Sequence, residues 1–158
     1  MRRRKRAPFT VGWREMVALP DLGVTRIKAK IDTGARTSAV HATRIRHERV
    51  EGEPWVRFVV HPEQRSHGVV VDAFAPLLET RAIRSSNGET QERPVILTTV
   101  ALGDHRWPIE LTLTVRPQMG FRMLLGRTAL RRHALVDPGR SYLASPRPPK
   151  MPKMPKPR

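Results

Sequence analysis

Asp32 is set apart by its neighbours. Thr33, Gly34 and Ala35 follow it, and the run Ile27-Lys28-Ala29-Lys30-Ile31 precedes it. Such a strand delivers one carboxylate onto a tight turn of small residues, with little side-chain bulk around it. Gly34 permits a backbone conformation that other residues resist, and the Thr33 hydroxyl can bond the turn backbone. Two carboxylates of this kind, held face to face, cannot both ionise, so they share one proton. The ionised member can deprotonate a water while the protonated member polarises a peptide carbonyl. The pair then titrates as a unit. This chain has one Asp-Thr-Gly and no second; Asp137-Pro138-Gly139 is the nearest imitation and reads as a turn.

Several further segments are needed to position that carboxylate. Met123-Leu124-Leu125-Gly126-Arg127 is an apolar strand that stops at glycine, followed by a short helical pattern over Arg127–His133. Leu125, Gly126 and Arg127 are the candidate support beneath the site. Ser85, Ser86, Asn87 and Gly88 form an Asn-Gly hairpin tip of small polar residues, a candidate flap. The remaining pattern is mostly β. Val11–Leu19 leads through a Pro20-Asp21-Leu22-Gly23 turn into the Ile27–Ile31 strand. Trp55–His61, Gly68–Phe74 and Pro94–Leu102 have strand composition, and Trp107–Val115 alternates with period two. Leu135–Leu143 reads as a final hairpin. Many short strands with regular turn signals predict a mainly β fold, a small closed β-barrel with one short C-terminal helix.

The 158 residues suit one domain with a real core. Cysteine is absent, which removes disulfides, thiolate catalysis and Cys-based zinc sites. No apolar stretch reaches the ~20 residues of a membrane helix. Met1-Arg2-Arg3-Arg4-Lys5-Arg6 has no apolar segment after it, so it lacks the pattern of a signal peptide. A soluble, cytoplasmic protein with no membrane contact is expected. The net charge of +16 is concentrated at the ends: residues 1–6 and 146–158 carry five positive charges each, leaving +6 on the body. The expected organisation is a disordered basic arm over 1–9, a domain over 10–144 and a disordered Pro/Lys-rich tail over 145–158. Basic ends of this type suit contact with RNA or a ribosome.

Ile31-Asp32-Thr33-Gly34-Ala35, the Asn-Gly hairpin and Met123–Leu130 stand in the order found in retropepsin-like aspartic peptidases. Val11-Gly12-Trp13-Arg14-Glu15, Leu19–Gly23, Ala29–Ser38, Ser85–Gly88 and Met119–Arg127 more closely resemble a bacterial family labelled ATP-dependent zinc proteases and now regarded as retropepsin-like. The resemblance runs from about Thr10 to Leu143. It implies that Asp32 is the catalytic acid, that Thr33, Gly34 and Ala35 shape its turn, and that Ser85–Gly88 cover substrate. It implies a homodimer, each copy giving one Asp-Thr-Gly. Viral retropepsins carry an acid two residues after the motif glycine, paired with the arginine of their Gly-Arg segment; here Arg36 occupies that position, so Arg127 needs another partner.

The zinc and ATP of that label have no counterpart in the motifs. A zincin needs His-Glu-x-x-His, and His41, His47, His61, His67, His105 and His133 never form it. No phosphate-binding Gly-rich loop opens a helix. Neither cofactor nor metal is expected. Family members are often encoded near glutamate ligases that extend a ribosomal protein, which implies an acidic or glutamate-modified protein tail as substrate. The alternative is a non-catalytic, RNA- or ribosome-binding β-domain that uses its basic tails.

Overall fold

The computed structural model describes residues 7–63, 69–85, 87–116 and 120–149. The arm through Arg6, the tail from Lys150, Ser86 of the expected flap and Met119 of the expected motif lie outside them. Among the described residues ten strands follow in order: β1 Phe9–Gly12, β2 Arg14–Leu19, β3 Val24–Asp32, β4 Ser38–Val50, β5 Glu53–Val60, β6 Val71–Arg84, β7 Thr90–Leu102, β8 His105–Thr114, β9 Met123–Gly126 and β10 Ala134–Asp137. A 3-10 turn spans Pro20–Leu22, and helix α1 spans Arg127–Leu130. No helix among the described residues is long and apolar enough to cross a membrane.

Eight strands form one sheet in the order β2-β3-β9-β4-β5-β6-β7-β8. Further pairings, β4 with β8 and β2 with β7, bring it back on itself in a ring-like arrangement. Alternation along the strands sends Val17, Leu19, Ile27, Phe58, Ile96 and Leu111 inward, where each is essentially inaccessible to solvent. This mainly β, ring-like architecture with one short helix is the kind of fold expected from the sequence.

Three local features differ from expectation. β4 was not foreseen: beyond Ala42 its run of Arg, His and Glu pairs only with β5 and is largely exposed, so no apolar alternation marks it. The expected final hairpin is instead β10 laid parallel on β1, Phe9 opposite Ala134 and Gly12 opposite Asp137. Finally, α1 is a single turn, because the chain leaves helical geometry at Arg131 (ψ 128°).

One buried carboxylate ties the segment around β2 to residues 143–145. Glu15 is wholly buried, and its Oε2 accepts from the backbone N–H groups of Gly12 (2.7 Å) and Leu143 (2.8 Å). Its Oε1 accepts from Ala144 N (3.1 Å), Ser145 N (3.0 Å) and Ser145 Oγ (2.7 Å). Ser145, assigned from the sequence to the start of the tail, is thus a buried part of the folded unit.

Candidate active site

Asp32 is the last residue of β3, and its position follows from the strand beside it. β9 lies between β3 and β4, parallel to the first and antiparallel to the second. The register sets Ile31 opposite Leu125 and Asp32 opposite Gly126. Leu125 is fully buried and anchors β9 in the core. Gly126 is required by close approach: a Cβ there would stand 2.7 Å from the Thr37 carbonyl carbon and 2.9 Å from its oxygen. That proximity lets the Gly126 N–H donate to Ser38 Oγ at 2.9 Å, while the Ser38 carbonyl accepts from Thr112 Oγ1 at 2.9 Å.

The turn after Asp32 is closed by the carboxylate itself. Oδ1 accepts from Gly34 N at 3.0 Å and Ala35 N at 3.2 Å, a bonding pattern of Asx turns. The Thr33 hydroxyl, which can bond the turn, makes no such bond among the described residues; Thr33 contributes its carbonyl, which accepts from Arg127 Nη1 at 3.1 Å. This contact is the partner that Arg127 lacked once Arg36 stood in the acid's place. The start of α1 is sewn to the same loop, with Arg127 N donating to Ala35 O (2.7 Å) and Thr128 Oγ1 to Arg36 O (2.9 Å). Asp32 is half-buried, and its Oδ2 has no hydrogen-bond partner among the described residues.

The carboxylate opens on a groove of about 970 Å³. Its opposite wall comes from the long hairpin of β6 and β7, through Arg81, Ile83, Arg84, Ser85 and Arg93. The hairpin tip closes by Gly88 N donating to Ser85 O at 3.0 Å and Ser85 N to Glu89 O at 2.8 Å. Gly88 sits at φ 85°, in the left-handed region that suits glycine. The Asn87 amide oxygen accepts from Glu89 N at 3.1 Å and from the Ser85 hydroxyl. Ser85, Asn87 and Gly88 thus shape the tip, and Ser85 reaches the groove that Asp32 opens on.

Charge in the groove is predominantly positive. Arg81 is neutralised by Glu110 (2.8 Å) and Glu79 (2.6 Å), whose hydrogen bonds, that of Glu110 foremost, hold it more firmly protonated than usual. Arg93 is only 6% exposed, and burial followed by the Arg116 charge lowers its pKa from the usual arginine value. Behind the groove, buried His41 accepts at Nδ1 from Arg116 N (3.0 Å) and stacks on His61. Burial, then the Arg122 cation, pushes the His41 imidazole below the ordinary histidine range. Sequence reasoning did not identify Arg93 or Arg116 as groove groups, or His41 as the residue behind them, since isolated basic residues carry no spacing signal. Ser38 lay inside a motif that was recognised, but its role depends on a contact 88 residues away.

Among the described residues, no three of His, Cys, Asp and Glu come together as a metal-holding group. A second cavity, about 600 Å³ and lined by Phe9, His105, Trp107 and His133, shares no residue with the groove and contains no carboxylate.

Comparison with known proteins agrees with this geometry. Residues 10–147 match the model of the RimB-like family, described as retropepsin-like aspartic endopeptidase RimB. Proteins named probable alpha-L-glutamate ligase are similar to the chain. One from Shewanella halifaxensis is 49% identical over 134 residues, 85% of this chain. Another, from Parasynechococcus marenigrum, is 46% identical over 132 residues, 84% of this chain. The chain spans only 29% and 28% of their lengths, so their name describes proteins most of which have no counterpart here. The crystal structure of a Legionella pneumophila protein of unknown function superposes with a TM-score of 0.74 at 28% identity, covering 87% of this chain and 98% of that one. With the Asp32 turn, the Gly126 strand and a family match across nearly the whole described domain, the chain belongs to the RimB-like family of retropepsin-like aspartic endopeptidases.

Proposed function

We propose that the protein is an aspartic endopeptidase acting as a homodimer, with Asp32 and Asp32 of the partner subunit forming one dyad. The observation that carries this reading is Asp32 itself: Oδ1 is occupied by turn amides, while Oδ2 has no hydrogen-bond partner among the described residues and stands beside a large groove. A single carboxylate can serve as base or as acid, but not as both at once. Two related by symmetry fill both roles by sharing a proton. The ionised member takes a proton from water, whose oxygen attacks the scissile carbonyl carbon, and the protonated member donates to the carbonyl oxygen. Collapse of the tetrahedral intermediate breaks the C–N bond, and the nitrogen leaves with a proton from the dyad.

The substrate we propose is an acidic or glutamate-bearing protein tail. The arginines of the groove favour such a chain by charge, and the similar proteins are named for joining glutamate. A peptidase segment within a glutamate ligase would meet the product of that ligation directly. The basic ends of this chain add a long-range attraction to polyanions, and a ribosome or RNA is the partner proposed for them. The test is Asp32→Asn, with oligomeric state measured alongside. Loss of peptide cleavage at unchanged thermal stability is expected; a variant that still cleaves at the wild-type rate refutes the mechanism.

A further inference from the structure

Arg93 is the most conspicuous charge in the groove that the chemistry above leaves unused. It lies on β7 opposite Arg81 of β6 in the strand register, and both residues line the groove. The nearby acids serve only Arg81, which takes both Glu79 and Glu110. Arg93 donates from Nε to Gln91 Oε1 at 3.2 Å and forms no ion pair among the described residues. Arg116, an exposed groove residue, adds like charge rather than compensation. Thr114 Oγ1, buried in the same wall, has no hydrogen-bond partner among the described residues. A guanidinium withdrawn from water without a counter-charge is unfavourable unless something else supplies one. Its planar fork matches a carboxylate in two parallel hydrogen bonds.

We propose that Arg93, assisted by Arg116, is the subsite that takes a substrate carboxylate: the side chain of a glutamate or aspartate flanking the scissile bond. The inference rests on the peptidase reading for what occupies the groove, but it can be tested without turnover. Two carboxylate sources share this chemistry, an acidic side chain and the free C-terminus of a peptide.

The experiment uses the full chain carrying Asp32→Asn and fluorescent hexapeptides of glutamate or glutamine, blocked at both ends. Anisotropy should show the glutamate peptide bound more tightly. Adding Arg93→Gln should weaken that peptide by about 10- to 100-fold, the range for a hydrogen bond to a charged group, and leave the glutamine peptide unchanged. Arg93→Lys, which keeps the charge and loses the fork, should recover only part of the affinity. Arg116→Gln, at an exposed position, should lower the glutamate preference without threatening the fold, so the test does not depend on Arg93 variants folding. Equal binding of the two blocked peptides would overturn the proposal, as would a full preference retained in both Arg93→Gln and Arg116→Gln. A preference that appears only when the C-terminus is unblocked would assign the carboxylate to the chain end and overturn the side-chain assignment. Because binding is read on inactive protein, loss of this subsite and loss of the peptidase mechanism give different results.

Discussion

Replacing Gly126 with alanine places a methyl carbon 2.7 Å from Thr37 C, 2.9 Å from Thr37 O and 3.0 Å from Ser38 N. All three are backbone atoms, so no side chain can rotate away, and β9 must move relative to the start of β4. Overpacking of this kind costs about 1–3 kcal/mol. For a domain of this size, each kcal/mol lowers the melting temperature by about 2–4 °C. The effect on activity should be larger. Gly126 is opposite Asp32 in the β3–β9 register, so relief of the clash displaces the carboxylate. A misplacement of about 1 Å reduces turnover by about 10²-fold, and in a symmetric dimer both halves of the dyad are displaced. Ser38→Ala provides the control: it removes the acceptor of the Gly126 N–H without inserting volume. The orphaned donor costs about 1–3 kcal/mol, but the strands need not part. Urea denaturation and peptide cleavage, measured on both variants, separate the two effects. A Gly126→Ala protein with wild-type stability and wild-type turnover would refute the idea that this contact positions Asp32.

Further predictions follow from other contacts. Glu15→Gln should destabilise the fold by about 2–4 kcal/mol in urea titration, since either amide orientation sets N–H against the donors that now meet the two carboxylate oxygens; a loss below 0.5 kcal/mol, within the ~0.5 range of ordinary surface substitutions, would contradict the clasp. The His41 pKa lies below its unfolded value, so the unfolded chain binds the proton first as acid is added. Its contribution to stability is therefore complete above about pH 6.5 and declines as pH falls toward the folded pKa. The fall should be shallower in His41→Gln than in wild type, and parallel curves would exclude His41 as the source. Arg127→Met removes the bond to Thr33 O at an exposed position, so it should change stability by less than about 1 kcal/mol yet lower kcat/KM several-fold; unchanged kinetics would show that this bond does not hold the turn.

The sequence made the part of the molecule around Asp32 legible because its signals are local. An apolar strand ending in Asp-Thr-Gly and another ending in Leu-Gly predict two strand ends that meet, and Asp32 opposite Gly126 is that meeting. The hairpin tip was readable from Asn87-Gly88 for the same reason. What stayed hidden depends on distant contacts. β4 carries charge on both faces where it leaves the core, so its alternation is masked. Ser145 looks like the first residue of a proline-rich tail until its hydroxyl is found on Glu15. The Arg127 partner is a backbone carbonyl, to which no residue-type pattern points. Arg93 is one arginine among many, and only its burial beside Arg81 distinguishes it.

The central claim is that one active site is built from two copies of Asp32. Mixing wild-type protein with Asp32→Asn protein at constant total concentration, after subunit exchange, tests it directly. If the dyad is shared and both residues are required, cleavage falls as the square of the wild-type fraction, to about a quarter of full activity in an equal mixture. A linear fall, with about half the activity remaining at that point, would mean that each chain works alone and would contradict the account.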